Sequence, residues 1–283
     1  MRANIWPLSH NNKIPTVVGI LKCDTIFCMK IISLNTWGGY AGREKLLPFF
    51  DKYKNDVDIF CLQEVWNAKY EEFHGTLAGG KPLETNKTMT NGRNDIQDIL
   101  KNHMGYFRPH FMDDYGLFLL INKKYKVVAE GEVFVYKEKG YISDGDVGNH
   151  ARNIQYVTFE LKNKLVTVIN FHGLWNGKGK TDTEDRLNQS RNIINFVNSL
   201  NSECILCGDF NLLPSTKSLQ MFEEVGLENL IKKYNIQSTR TSFYKKPEKF
   251  ADYVFLSKGV KEKDFKVLPD EVSDHAPLFV EVE

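Results

Sequence analysis

The sequence has no surplus of charge of either sign. Lys and Arg number 37 against 36 for Asp and Glu over 283 residues, which removes the global positive field that gives sequence-independent affinity for nucleic acid and leaves only local basic patches. Long apolar runs are missing too. The stretch from Ile14 to Met29 is broken by Lys22 and Asp24, so it is too short and too charged to span a bilayer, and it lacks the clean apolar core and small-residue cleavage site of a secretion signal. Cysteine is sparse and odd in number, at five. Cys204 and Cys207 fall inside ECILCGDF, where an apolar strand accounts for them; a zinc site would want a second pair at matching spacing, and none exists. The expectation is a protein with reduced thiols in the cytoplasm, with secretion as the alternative reading of the leader. Internal repeats and low-complexity linkers are absent.

What is present suits a large buried core, with 42% hydrophobic and 12% aromatic residues. A convincing strand, KIISLNT, follows Met29 directly. Residues 1–28 therefore read as a poorly ordered leader and residues 29–283 as a single domain. REKLLPFFDKY has helical spacing and VDIFCLQEV returns to a buried strand, so the opening is βαβ. The texture then becomes strand after strand: YFRPHF, YGLFLLI, KVVAEGEVFVY, RNIQYVTFEL and KLVTVINFH, separated by polar turns that suit antiparallel pairing. DTEDRLNQSRNIINFVNSL is an amphipathic helix with acids in its first turn. STKSLQMFEEVG is a second helix, capped by Ser215 or Thr216, and FADYVFLS, FKVLP and APLFVEVE are closing strands. Two β-sheets packed face to face, with helices outside, is the simplest architecture.

Against that pattern the polar residues at strand ends stand out. Asn35 ends the first strand, Glu64 the second, Asn170 and His172 the strand before the long helix, and Asp209 and Asn211 the strand after it; Asp252 opens a late strand and Asp274-His275 precede the last. If strand ends of two stacked sheets meet at one edge, these groups converge on one cleft. Crowded carboxylates repel and are costly to desolvate, and a divalent cation relieves both penalties. Oxygen donors with few soft atoms select Mg²⁺, with Mn²⁺ as the alternative, over zinc.

The segments LNTWGG, LQEVW, NFHGLW, GDFN, ADYVF and SDHAPL, in that order from about Met29 to the end, resemble the exonuclease-endonuclease-phosphatase superfamily of metal-dependent phosphoesterases. The resemblance implies an α/β fold, a four-layer α/β/β/α sandwich of two packed mixed sheets flanked by helices. It implies Glu64 as the principal Mg²⁺ ligand, with Asn35 and Asp274 completing or orienting the shell, directly or through water, and Asp209 as the group that positions and helps deprotonate the attacking water. His275, oriented by Asp252, would transfer a proton or stabilise charge at the phosphate, and His172 would add a second donor. Asn170, Asn211 and Arg152 would contact substrate.

Other features read less sharply. Trp37 and Trp66 could stack on a base or a lipid head group, with packing as the plainer role. The loop LWNGKGKTDTEDR, with Gly177, Lys178, Gly179 and Lys180, reads as flexible, basic and close to His172, while Lys245, Lys246 and Lys249 form a second basic group. The first motif is NTWGG rather than the WNxxG of abasic-site endonucleases, and no long apolar insertion suggests membrane docking. The expected activity is Mg²⁺-dependent hydrolysis of a phosphate ester, as a phosphodiesterase or nuclease acting on partners that include nucleic acid, with no transmembrane segment and no obligate protein partner. Phosphomonoester or lipid head-group hydrolysis is the alternative, and a catalytically silent binding relative the third reading.

Overall fold

The computed structural model describes residues 28–68, 87–110, 113–143 and 146–283; apart from Cys28, the expected leader lies outside the described residues. The chain begins with strand β1 (Met29–Asn35), a tight turn at Trp37–Gly39, helix α1 (Arg43–Tyr53), strand β2 (Ile59–Trp66) and helix α2 (Gly92–Ile99). Strands β3 (His103–Pro109), β4 (Tyr115–Asn122), β5 (Val127–Tyr136), the short β6 (Ile142–Ser143) and β7 (Asp146–His150), then β8 (Arg152–Leu161) and β9 (Lys164–His172) follow. Helix α3 (Glu184–Ser199), β10 (Glu203–Asp209), α4 (Lys217–Glu224), β11 (Glu228–Asn229), α5 (Leu230–Lys233), β12 (Asp252–Leu256), β13 (Glu262–Val267) and β14 (Leu278–Val282) complete it.

Two six-stranded mixed sheets result, ordered β13-β14-β1-β2-β4-β3 and β11-β12-β10-β9-β8-β5. The predicted βαβ opening is present as the parallel pair β1/β2, and β9/β10 are parallel across α3. Alternation in β1 and β2 sorts side chains between layers. Ile31, Ile59 and Cys61 join the core shared with Val168 and Ile205 of the second sheet, whereas Ile32, Leu34, Phe60 and Leu62 pack against Leu46, Phe49 and Phe50 of α1. On the far side Ile193 and Ile194 of α3 and Phe222 of α4 are buried. Each such side chain contributes roughly 1.5–3 kcal/mol through removal of apolar surface from water. Among the described residues no helix is long and apolar enough to cross a membrane.

One local expectation changes. Thr216 occupies the cap position of α4, yet its side chain does not cap. Asp182 reaches in instead, accepting from the Lys217 and Ser218 backbone N–H groups at 2.7 and 2.9 Å, so a carboxylate from a distant loop meets the positive end of the helix. The preceding loop is not the free basic segment that its glycines suggest. Arg186, 1% exposed, donates to the carbonyls of Leu174, Gly179 and Thr181 and pins it, and Lys180 is buried with its ammonium 2.9 Å from the Phe250 carbonyl.

Candidate active site

Register assembles half of the site. In the second sheet Asp209 lies opposite His172 of β9 and opposite Asp252 of β12, so three strands end in one row of functional groups. Close approach there requires glycine: a Cβ on Gly208 would meet the Phe171 carbonyl oxygen at 1.9 Å. Just beyond, Asn211 takes a left-handed backbone, φ 54°, a conformation asparagine tolerates. Its N–H donates to Asp209 Oδ1 at 2.8 Å, and its amide donates to the Gly173 carbonyl at 3.2 Å.

The first sheet supplies the other half through a defect. Strict alternation would send Glu64 toward α1, with Phe60 and Leu62. The β2/β4 register instead slips between Leu62 and Val65, and Glu64 adopts φ 56°. Such a bulge re-aims one side chain, and Thr36 secures it by donating its hydroxyl to the Gln63 and Glu64 carbonyls, each at 3.0 Å. The Asn35 amide then bridges the sheets, donating to Glu64 Oε1 at 3.0 Å and Asp209 Oδ2 at 2.9 Å. Tyr115, opening β4, brings its hydroxyl to Glu64.

His275 lies between the acids. Its Nδ1 is 2.8 and 2.9 Å from the two Asp252 oxygens, and Thr239 donates to Asp252 Oδ2 at 3.1 Å. Nε2 faces Asp209 Oδ2 at 3.5 Å and Asp274 Oδ1 at 3.7 Å. His172 Nε2 stands 3.7 Å from both Glu64 and Asp209. Arg240, whose backbone bridges to His275, donates to Asp274 Oδ2 at 3.1 Å.

Burial pushes these groups toward their uncharged forms. Glu64 keeps 23% of its side-chain exposure, yet burial of its carboxyl, opposed by the Asn35 bond and reinforced by Asp274 and Asp209, raises it to about 7. Burial raises Asp252 to about 7. Burial first, then the Arg240 charge, lowers His275 to about 4. The Asp252–His275 pair thus retains a single proton until about neutral pH, whichever partner carries it.

The remaining expected contacts are distributed unevenly. Asn170 lies between the sheets, its oxygen accepting from Gln63 at 2.7 Å and its amide donating to the Leu62 carbonyl at 2.9 Å and to Gln155. Arg152 is 2% exposed; one nitrogen donates to the Gly148 carbonyl at 3.0 Å, while Nε and Nη1 have no partner among the described residues. Its charge is felt by Tyr115, Glu64 and Asp209. Trp66 is buried against Tyr115, and Trp37 stays half-exposed. Sequence reasoning missed Tyr115, Arg240 and the buried imidazoles His110 and His150, whose rings stack 5.5 Å apart, with His110 5.8 Å from His172.

The donor set fits a hard divalent cation. One oxygen each from Glu64 and Asp209, with a His172 nitrogen, lie within 4.8 Å of one another, and Asp274 Oδ1 is buried without a hydrogen-bond partner among the described residues. Unbalanced carboxylate charge together with an unused oxygen is what such an ion neutralises.

Similar proteins extend the geometry. A structure from Bacteroides vulgatus described as an endonuclease/exonuclease/phosphatase superposes with TM-score 0.69 at 16% identity, covering 91% of this chain and 99% of its own. A mannosyl-6-phosphatase from Bacteroides thetaiotaomicron gives 0.68 at 18%, covering 90% and 99%, and the human Nocturnin catalytic domain gives 0.59 at 17%, covering 90% and 93%. At these identities the likeness carries the fold, the expected four-layer sandwich. No curated protein matches significantly in sequence. The Endonuclease/Exonuclease/phosphatase family model, however, matches residues 32–275, and the chain belongs to that family, whose members are generally phosphoester hydrolases.

Proposed function

We propose that residues 29–283 act as one catalytic unit, a Mg²⁺-dependent phosphodiesterase of the nuclease type. The observation that carries this reading is the placement of Asp209 between two poles: the acidic pole of Asn35 and Glu64, and the Asp252–His275 pair. Glu64 and Asp274 would hold the cation, with Asn35 orienting Glu64 through its amide; when bound, the cation neutralises phosphate charge and stabilises the leaving oxygen. The protein supplies the rest. Asp209, its oxygens held by the Asn211 N–H and the Asn35 amide, accepts a proton from the attacking water. Asp252 holds the imidazole by Nδ1, so that Nε2 of His275 faces the phosphate. Arg152 offers two unpaired nitrogens toward developing negative charge.

The test is turnover of bis-p-nitrophenyl phosphate, single- and double-stranded DNA, RNA, sphingomyelin and inositol phosphates, with Mg²⁺ and with chelator. The expected result is chelator-sensitive cleavage of a diester that His275→Ala lacks. Cleavage confined to monoesters, or surviving the chelator, would defeat the reading.

A further inference from the structure

The segment from Thr241 to Lys246 forms neither helix nor strand and lies against the loop that carries His275. Thr241 fastens it to the Asp274–His275 loop: its N–H donates to the Asp274 carbonyl at 3.3 Å, and its hydroxyl donates to the Ser273 carbonyl. Aromatic rings and cations then alternate. Phe243 lies 6.4 Å from Trp37, which lies 5.1 Å from Tyr40, and the Lys45 ammonium sits 4.5 Å above the Phe243 ring. Tyr244 carries the Arg240 guanidinium at 4.1 Å. Lys246 stands 5.6 Å over Trp175, in the loop that leaves His172. The band therefore runs from beside Asn35 to beside His172. Tyr40 also lines, with Arg43 and Lys87, a groove of about 560 Å³.

Trp37 is not there for the core. Its backbone takes φ 51°, a left-handed conformation that bulky residues rarely adopt and that clusters at functional sites. Its N–H donates to Asn35 Oδ1 at 2.9 Å, which ties a half-exposed ring to a residue of the acidic pole. Phe243 and Trp175 are also only partly covered, and Lys45 and Lys246 are exposed.

We infer that this band is a base-stacking platform for single-stranded nucleic acid, seating nucleotides beside the scissile phosphate; its place next to that phosphate rests on the hydrolase reading above. Aromatic faces accept any base, and interleaved cations follow the backbone. Duplex bases are already stacked and cannot use such faces. A choline head group, itself a cation, is disfavoured by the interleaved ammonium and guanidinium groups, which repel it and attract a polyanion.

The experiment measures, in chelator, the affinity of a single-stranded oligonucleotide carrying 2-aminopurine and of a strand of equal length and charge whose central residues lack bases. The wild type should bind the base-bearing strand ~10-fold more tightly and quench its fluorescence, in line with stacking of one or two bases. Trp37→Ala and Trp175→Ala, on separate loops, should each move that ratio toward one, and Trp37→Phe should restore most of it. Lys246→Ala should weaken both strands alike and flatten the salt dependence. Equal wild-type affinity for the two strands overturns the platform, as does preference for sphingomyelin vesicles over either strand. Turnover is read separately. A protein that discriminates bases yet cleaves no diester keeps the platform and loses the hydrolase reading, whereas one that cleaves bis-p-nitrophenyl phosphate without discriminating does the reverse.

Discussion

Arg152 and Arg186 are the two largest fully buried side chains among the described residues, and they face opposite situations. Arg186 spends its guanidinium on three carbonyls of the loop it anchors. Among the described residues Arg152 makes one bond, to Gly148, and leaves two nitrogens without partners close to Glu64 and Asp209. Burying a charge is expensive in either place. Depth alone therefore does not distinguish them; among the described residues, unused hydrogen-bonding capacity beside the acids does. By that criterion His172 Nδ1 and Asp274 Oδ1, also buried and unpaired, belong with Arg152.

Four measurements bear on the contrast. The largest effect belongs to the site: His275→Ala should lower kcat by ~10²–10⁴, the range of a lost proton-transfer group, with the circular dichroism spectrum unchanged. Arg152→Met comes next, lowering kcat/KM by ~10²–10³ through loss of donors to developing charge. Its melting temperature should stay at or above that of the wild type, because an incompletely paired charge has left the interior. Arg186→Met should invert this pattern, costing roughly 3 kcal/mol in urea unfolding as three carbonyls lose their donor, with kcat/KM of the folded fraction retained. A matching loss of activity there would dissolve the distinction between the two arginines. Asn170→Leu is smaller, roughly 1–3 kcal/mol of stability with KM unmoved; a KM change would return Asn170 to the substrate.

The cation adds a prediction whose sign follows from Glu64. Its carboxyl is raised to about 7 by burial and by the neighbouring Asp274 and Asp209 charges, so below that pH a proton competes with the metal. Apparent Mg²⁺ affinity, followed as the rise in Tm on titration, should fall by up to ~10-fold per pH unit below 7 and level off above it. A pH-independent Tm response would remove Glu64 from the cation site.

Much of this was legible before any coordinates. Polar groups at the ends of apolar strands cannot be explained by burial, and that contradiction picks out Asn35, Glu64, His172, Asp209 and Asp252, which the two sheets bring together. What stayed hidden depends on geometry without a sequence period. Glu64 reaches the cleft only because β2 bulges, and nothing in LQEVW announces the slip. Arg240 sits in STRTSFYKK, which reads as an exposed turn until its bridge to His275 forms. Tyr115 opens a strand, where aromatic residues are common. Asn170 is inseparable from His172 by motif and shares a face of β9 with it; only the packing along the strand distinguishes them, Asn170 bonding Gln63 and the Leu62 carbonyl between the sheets and His172, at the strand's end, standing beside Glu64 and Asp209.

The pairing of β1 with both β2 and β14 has a consequence for synthesis. Asn35 emerges from the ribosome early, but the imidazole that completes the site comes 240 residues later, and the last strand must close over the first before the two halves meet. A chain interrupted before His275 holds the acids, with Thr239 on Asp252, but lacks the imidazole. The cluster of acids and imidazole is therefore assembled only when almost all of the chain has been made.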